Sequence, residues 1–126
     1  MYRVIIFSFL LLVGCTESDK TDEDLSKLEG LWGWNGCENL TRVVAQPDRQ
    51  FVKFEYLYDG GGHSNYYVVG SDSNGLKLVM QRETRTDGKG NLVAWYAIFE
   101  GDDKFWWLGT PSKTGKKQGP MVRCEK

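Results

Sequence analysis

Few residues in this chain of 126 could do chemistry. There is one histidine, His63, and there are three cysteines, Cys15, Cys37 and Cys124. His63 follows Gly60-Gly61-Gly62 in a stretch of turn formers, where a histidine reads as a solvated turn residue rather than a general base. The glycine run lacks the Lys-Ser/Thr that would open a phosphate-binding helix. Asp72, Asp102 and Asp103 fall in turn segments, where a carboxylate commonly caps backbone N–H groups. Two cysteines and one histidine show no ligand-type spacing for a metal. The expectation is therefore a non-enzymatic protein without catalytic residues, metal or cofactor.

Charge narrows the partners. Sixteen basic residues face seventeen acidic ones, giving a net charge of −1. A nucleic-acid binder would show a strong basic excess, and none is expected here. Acidic residues gather in 16–27, at Glu17, Asp19, Asp22, Glu23 and Asp24, and leave the remainder close to neutral.

The strongest local signal is Leu12-Val13-Gly14-Cys15, which closes an apolar run from Val4 to Val13 preceded by Arg3. It resembles the lipobox of bacterial lipoproteins. The apolar run is far shorter than the ~20 residues of a membrane-spanning helix. The alternative is a buried N-terminal element in an unprocessed chain. The resemblance implies that residues 1–14 are a signal peptide and that Cys15 becomes the lipid-bearing N-terminus. Each buried methylene contributes ~0.8 kcal/mol, and two or more acyl chains together anchor stably. Because Thr16, and not Asp, follows the cysteine, the resemblance implies the outer membrane, facing the periplasm of the cell envelope, with a Gram-positive cell surface as the alternative. The covalent lipid on Cys15 is the only prosthetic group expected.

With Cys15 taken by lipid, Cys37 and Cys124 form a natural disulfide pair in an oxidising envelope. The alternative is two free buried thiols. The loop they would close, from 37 through 124, holds 88 residues and predicts about 4–5 kcal/mol of stabilisation, less any strain.

The elements that would position these residues are strands. Val52, Phe54, Tyr56 and Tyr58 alternate with Lys53 and Glu55, and Leu76, Leu78 and Met80 alternate with Lys77, Val79 and Gln81. Period-2 alternation between turn-rich segments predicts an all-β domain over 28–126. We place strands over 31–36, 40–46, 50–58, 65–69, 76–84, 92–100, 104–109 and 120–125. Eight short strands with mostly tight connections predict an up-and-down antiparallel meander closed into a barrel, which removes unpaired edges. A two-sheet sandwich is the alternative. Residues 15–27 read as the lipidated cysteine and an acidic, solvated tether, with a short helical turn near 24–29.

Gly30-Leu31-Trp32 resembles the Gly-x-Trp signature of lipocalins and the wider calycin group. That resemblance implies an arginine packed over the tryptophan at the barrel end, and Arg123 is the candidate. It also implies a carrier of a small apolar ligand. Size, anchor and cysteine placement are similar to small disulfide-bonded β-barrel lipoproteins that inhibit lysozymes in the periplasm, which implies a protein partner.

Aromatic side chains weigh between these readings. The chain holds five tryptophans, six tyrosines and six phenylalanines, and only Tyr2, Phe7 and Phe9 lie in the leader. An eight-stranded barrel is just wide enough for its own side chains or one small ligand, so these rings predict a filled interior. Neighbours on a strand face opposite sides, so either Trp106 or Trp107 should lie outside. Together with Lys113, Lys116 and Lys117 on the longest loop, these tryptophans form a candidate partner surface. The function expected is an anchored envelope lipoprotein presenting its barrel to another macromolecule. The alternative is a lipocalin-like carrier of a small apolar ligand.

Overall fold

A computed structural model describes residues 16–110 and 116–125. Eight strands follow one another around a closed antiparallel barrel, each paired with its sequence neighbours. They are β1 (Gly30–Trp34), β2 (Leu40–Gln46), β3 (Phe51–Tyr56), β4 (His63–Asp72), β5 (Gly75–Met80), β6 (Ala94–Phe99), β7 (Lys104–Thr110) and β8 (Gln118–Arg123). The seam is antiparallel pairing of β1 with β8, which sets Trp32 opposite Arg123 and Trp34 opposite Met121. The expected meander is thus the fold, with strand ends shifted by a few residues.

Alternation along each strand builds the interior. Val52 and Phe54 on β3, Leu76 and Leu78 on β5, and Ala97 on β6 are buried in one cluster with Trp32, Val43 and Phe105. On β4 the register slips between Val68 and Gly70, so that Val68 pairs with Leu78 and Ser71 with Leu76. This bulge turns Ser71 to the inner face, where plain alternation would have sent it out.

The two ends of the barrel differ. At one end, the base, neighbouring strands are joined by short connections, including a 3₁₀ turn at Pro47–Arg49. At the other end, the mouth, the connections are long, over 35–39, 57–62 and 81–93.

The base is closed by a helix, α1 (Thr16–Leu28), which corrects the expectation of a solvated tether. Leu25 and Leu28 are wholly buried, and Thr21 and Asp24 nearly so. Positions 21, 24, 25 and 28 follow the i, i+3, i+4, i+7 pattern of one helix face. Lys27 in the last turn complements the negative end of the helix dipole. A helix of 13 residues is marginal alone in water, so it depends on the barrel. Ser71 Oγ donates to Asp24 Oδ2 at 2.7 Å, and Thr21 Oγ1 accepts from the Ser71 backbone N–H at 3.1 Å. The folded unit therefore starts within the segment read as a tether.

Trp32 and Arg123 fasten the end of that helix. Trp32 Nε1 donates to the Leu28 carbonyl at 2.8 Å. Arg123 Nη2 donates to the Lys27 carbonyl at 2.6 Å, and Nη1 donates to the Glu29 carbonyl at 2.9 Å. The guanidinium carbon lies 4.3 Å from the Trp32 ring centroid. One cation thus satisfies carbonyls that a helix C-terminus leaves without intrahelical partners. Gly30 is needed for the approach: its φ is +137°, and a Cβ there would lie 2.5 Å from Arg123 Nη1.

The disulfide joins Cys37 and Cys124, with Cα atoms 5.7 Å apart. After β1 the chain folds back along the outside of that strand, and it can do so only over a glycine. A Cβ at Gly33 would collide with the Gly36 carbonyl and stand 3.1 Å from Cys124 Sγ. Cys124 and Arg123 leave the chain on opposite sides, the sulfur outward and the guanidinium across the base.

Candidate binding cleft at the barrel mouth

From the plugged base, aromatic rings run up the barrel interior. Trp32 meets Phe105 edge to face at 4.7 Å, and Phe105 meets Trp107 at 5.2 Å. Trp107 in turn contacts Phe54 at 5.5 Å and lies nearly parallel to Tyr66 at 6.2 Å. The packing stops there. Above Trp107 and Phe54 a cleft of about 210 Å³ opens at the mouth. Its rim carries Trp34, Asn39 and Tyr58, with Tyr56, Tyr66 and Thr41 on its walls. A second cleft of about 180 Å³ lies beyond Tyr66 and Trp107, against Trp95 and Gln118.

Each lining group is placed by its strand. Phe54 and Tyr56 alternate inward on β3, Tyr66 on β4, and Trp107 on β7, where it faces the small Ala97 of β6. Trp34 ends β1 and is 47% exposed, far more than a core tryptophan. Its indole is nonetheless held. With the Asn35 amide turned to satisfy both neighbours, its oxygen accepts from Trp34 Nε1 at 3.0 Å and its nitrogen donates to the Gly119 carbonyl at 3.0 Å. Such bracing reduces the entropy cost of ordering the ring on binding.

The electrostatics of the cleft are neutral. No charged side chain lines either cleft among the described residues. Burial, reinforced by neighbouring Tyr56, pushes the Tyr66 hydroxyl up to about 12, against a hydrogen bond with Ser64 that pulls it down. Tyr66 therefore stays protonated and can donate at any physiological pH. Tyr56 donates to Ser64 Oγ at 2.9 Å, which fixes its ring. Trp95 Nε1 is buried without an acceptor among the described residues.

The candidate residues named from sequence are dispersed. Cys15 and Lys113 lie outside the described residues. Cys37 and Cys124 are bonded, and Trp32 and Arg123 lock the base, on the far side of the barrel from the cleft. Trp106 and Trp107 part company as strand geometry requires. Trp107 is the one inside, where it lines the mouth clefts, so the two do not share a face. Trp106 is half-buried on the wall, with Lys117 Nζ 5.3 Å from its ring and Lys116 exposed nearby. His63 opens β4, exposed and paired in register with Glu55.

The lining residues of the two clefts come from every strand but β5, with Asn39 and Tyr58 on loops, so no single stretch of sequence marks them. Inward phase on each strand marks Tyr56, Tyr66 and Trp107 once the register is known, and this was the only available signal. The chain matches no protein-family model, no curated protein and no solved structure.

Proposed function

We propose that this is a non-enzymatic envelope lipoprotein, anchored through Cys15, whose barrel presents its mouth to another macromolecule. The observation that carries the reading is the asymmetry of the interior. Leu25 and Leu28 of α1 fill the core at the base, whereas the mouth keeps a braced aromatic cleft of about 210 Å³; a roomier hollow of about 490 Å³ lies along 45–49 at the turn between β2 and β3, and no aromatic residue lines it. Ligand pockets that enclose a whole small molecule generally span about 300–1,000 Å³. A smaller, open cleft instead suits a group protruding from a larger partner. Tyr and Trp are the side chains that give most contact area for least ordering entropy. The anchor rests on the lipobox resemblance, and an inhibitor-like role against an envelope protein is one form of the reading.

A carrier of a small apolar ligand is the second reading. It is favoured by the Tyr66–Trp107 wall common to both clefts, because a shift of those rings would merge them. The Arg123–Trp32 packing supports its lipocalin-like parentage.

The test has two arms. Palmitate labelling and membrane fractionation should follow the wild type and be lost in Cys15→Ala, while a soluble wild-type chain would remove the anchor. Native mass spectrometry of protein from envelopes should show no copurifying small molecule. A stoichiometric apolar adduct would favour the carrier.

A further inference from the structure

The two clefts at the mouth share a chemistry that narrows the partner. We infer that they are adjoining subsites for two consecutive pyranose rings of a neutral glycan chain. This rests on the mouth being the binding face, as proposed above, and specifies what it takes.

Three features point to sugar. The first is the lining, which mixes flat rings with neutral hydrogen-bonding groups. Trp34, Tyr66 and Trp107 offer faces for the C–H side of a pyranose, while Asn39, Thr41 and Gln118 offer amide and hydroxyl partners for its oxygens. The second is neutrality. With no carboxylate or cation in either lining among the described residues, a charged ligand would find no counter-ion in either cleft. Tyr66, held protonated by burial, keeps the wall neutral. The third is scale and adjacency. The clefts, about 210 and 180 Å³, are nearly equal, open to solvent, and divided only by Tyr66 and Trp107.

Other occupants use less of this. A hydrocarbon tail would leave the amides and hydroxyls without hydrogen bonds. An alkylammonium would gain from the rings but not from Asn39 or Gln118. A single aromatic side chain of a partner protein would fill one cleft and ignore the other. A linear glycan engages both, and remains open at each end for the rest of its length.

The experiment uses the full chain in a zwitterionic, sugar-free detergent. Oligomers of N-acetylglucosamine, maltose-type glucans and cellulose-type glucans, each from one to six units, are titrated by intrinsic tryptophan fluorescence and calorimetry. We expect one series to bind, with affinity rising about tenfold or more from monosaccharide to disaccharide and then levelling. Trp34→Ala, at an exposed rim position, should weaken binding by about tenfold with an unchanged melting temperature. Gln118→Ala should weaken the disaccharide but not the monosaccharide. Trp106→Ala, on the outer wall, should change neither.

Dissociation constants weaker than about 10 mM for every series would overturn the inference. So would binding that Trp34→Ala leaves intact. If no sugar binds but cross-linking in envelopes yields a protein that Trp34→Ala releases, the partner is a protein, and only the glycan inference fails. If the mouth captures nothing of either kind, the proposed function fails with it.

Discussion

Arg123 ties several segments of the barrel base together. It stacks on Trp32, donates to the carbonyls of Lys27 and Glu29, and reaches the Asp102 carbonyl at 2.9 Å. Arg123→Ala would leave those carbonyls short of donors and strip the cation from the ring, so it should cost about 2–4 kcal/mol in urea denaturation. Arg123→Lys should recover only a minor part, because one ammonium cannot span these acceptors. Tyr66 gives a second residue-scale prediction. Between pH 10 and about 12 an unfolded chain loses the tyrosine proton while native Tyr66 retains it. The native state then holds the extra proton, so stability is intact below pH 10 and falls as pH rises through that window. The loss should be on the order of 2 kcal/mol, and Tyr66→Phe should remove that component of alkaline unfolding. An unchanged alkaline profile in Tyr66→Phe would place the lost stability elsewhere.

At the scale of elements, α1 is the part that composition concealed. Residues 16–27 are so acidic that they read as solvated chain, yet Thr21, Asp24, Leu25 and Leu28 trace one helical face. Only two of the four are apolar, so the hydrophobic signal was too thin to register, and the barrel base supplied the rest. Hydrogen exchange should find the backbone amides of 22–28 protected nearly as well as the strands, where a tether would exchange at once. Leu25→Ala should cost about 2–5 kcal/mol and expose those same amides. The strands were far easier to read. Val52, Phe54 and Tyr56 alternate cleanly, and strand β2 has the bounds expected of it. The Val68–Gly70 bulge was not legible, because a register shift depends on the partner strand and leaves no period in its own. The cleft was hidden for a similar reason, being assembled from distant strands whose relative register is fixed only on closure.

At the scale of the whole molecule, the seam and the base act together. Cys37 and Cys124 are separated by 87 positions in sequence, and the bond holds β8 against the fold-back after β1. Its reduction should cost about 2–5 kcal/mol, read as a lowered denaturation midpoint, and most of that loss should persist in the Cys37→Ala, Cys124→Ala double variant. With that staple, the β1–β8 ladder and the α1 plug all bracing the base and seam, the mouth is the end left with long loops and an unfilled interior. Binding residues commonly sit on such loops above a rigid scaffold.

On the proposed function, the mouth and not the barrel wall meets the partner. Photo-cross-linking in intact envelopes tests it directly, with the reactive group placed either at Asn39 on the rim or at Val69, an exposed position on the wall. A discrete macromolecular adduct is expected from position 39, abolished by Trp34→Ala, and none from position 69. An adduct from position 69 alone, or one from position 39 that survives Trp34→Ala, would contradict it.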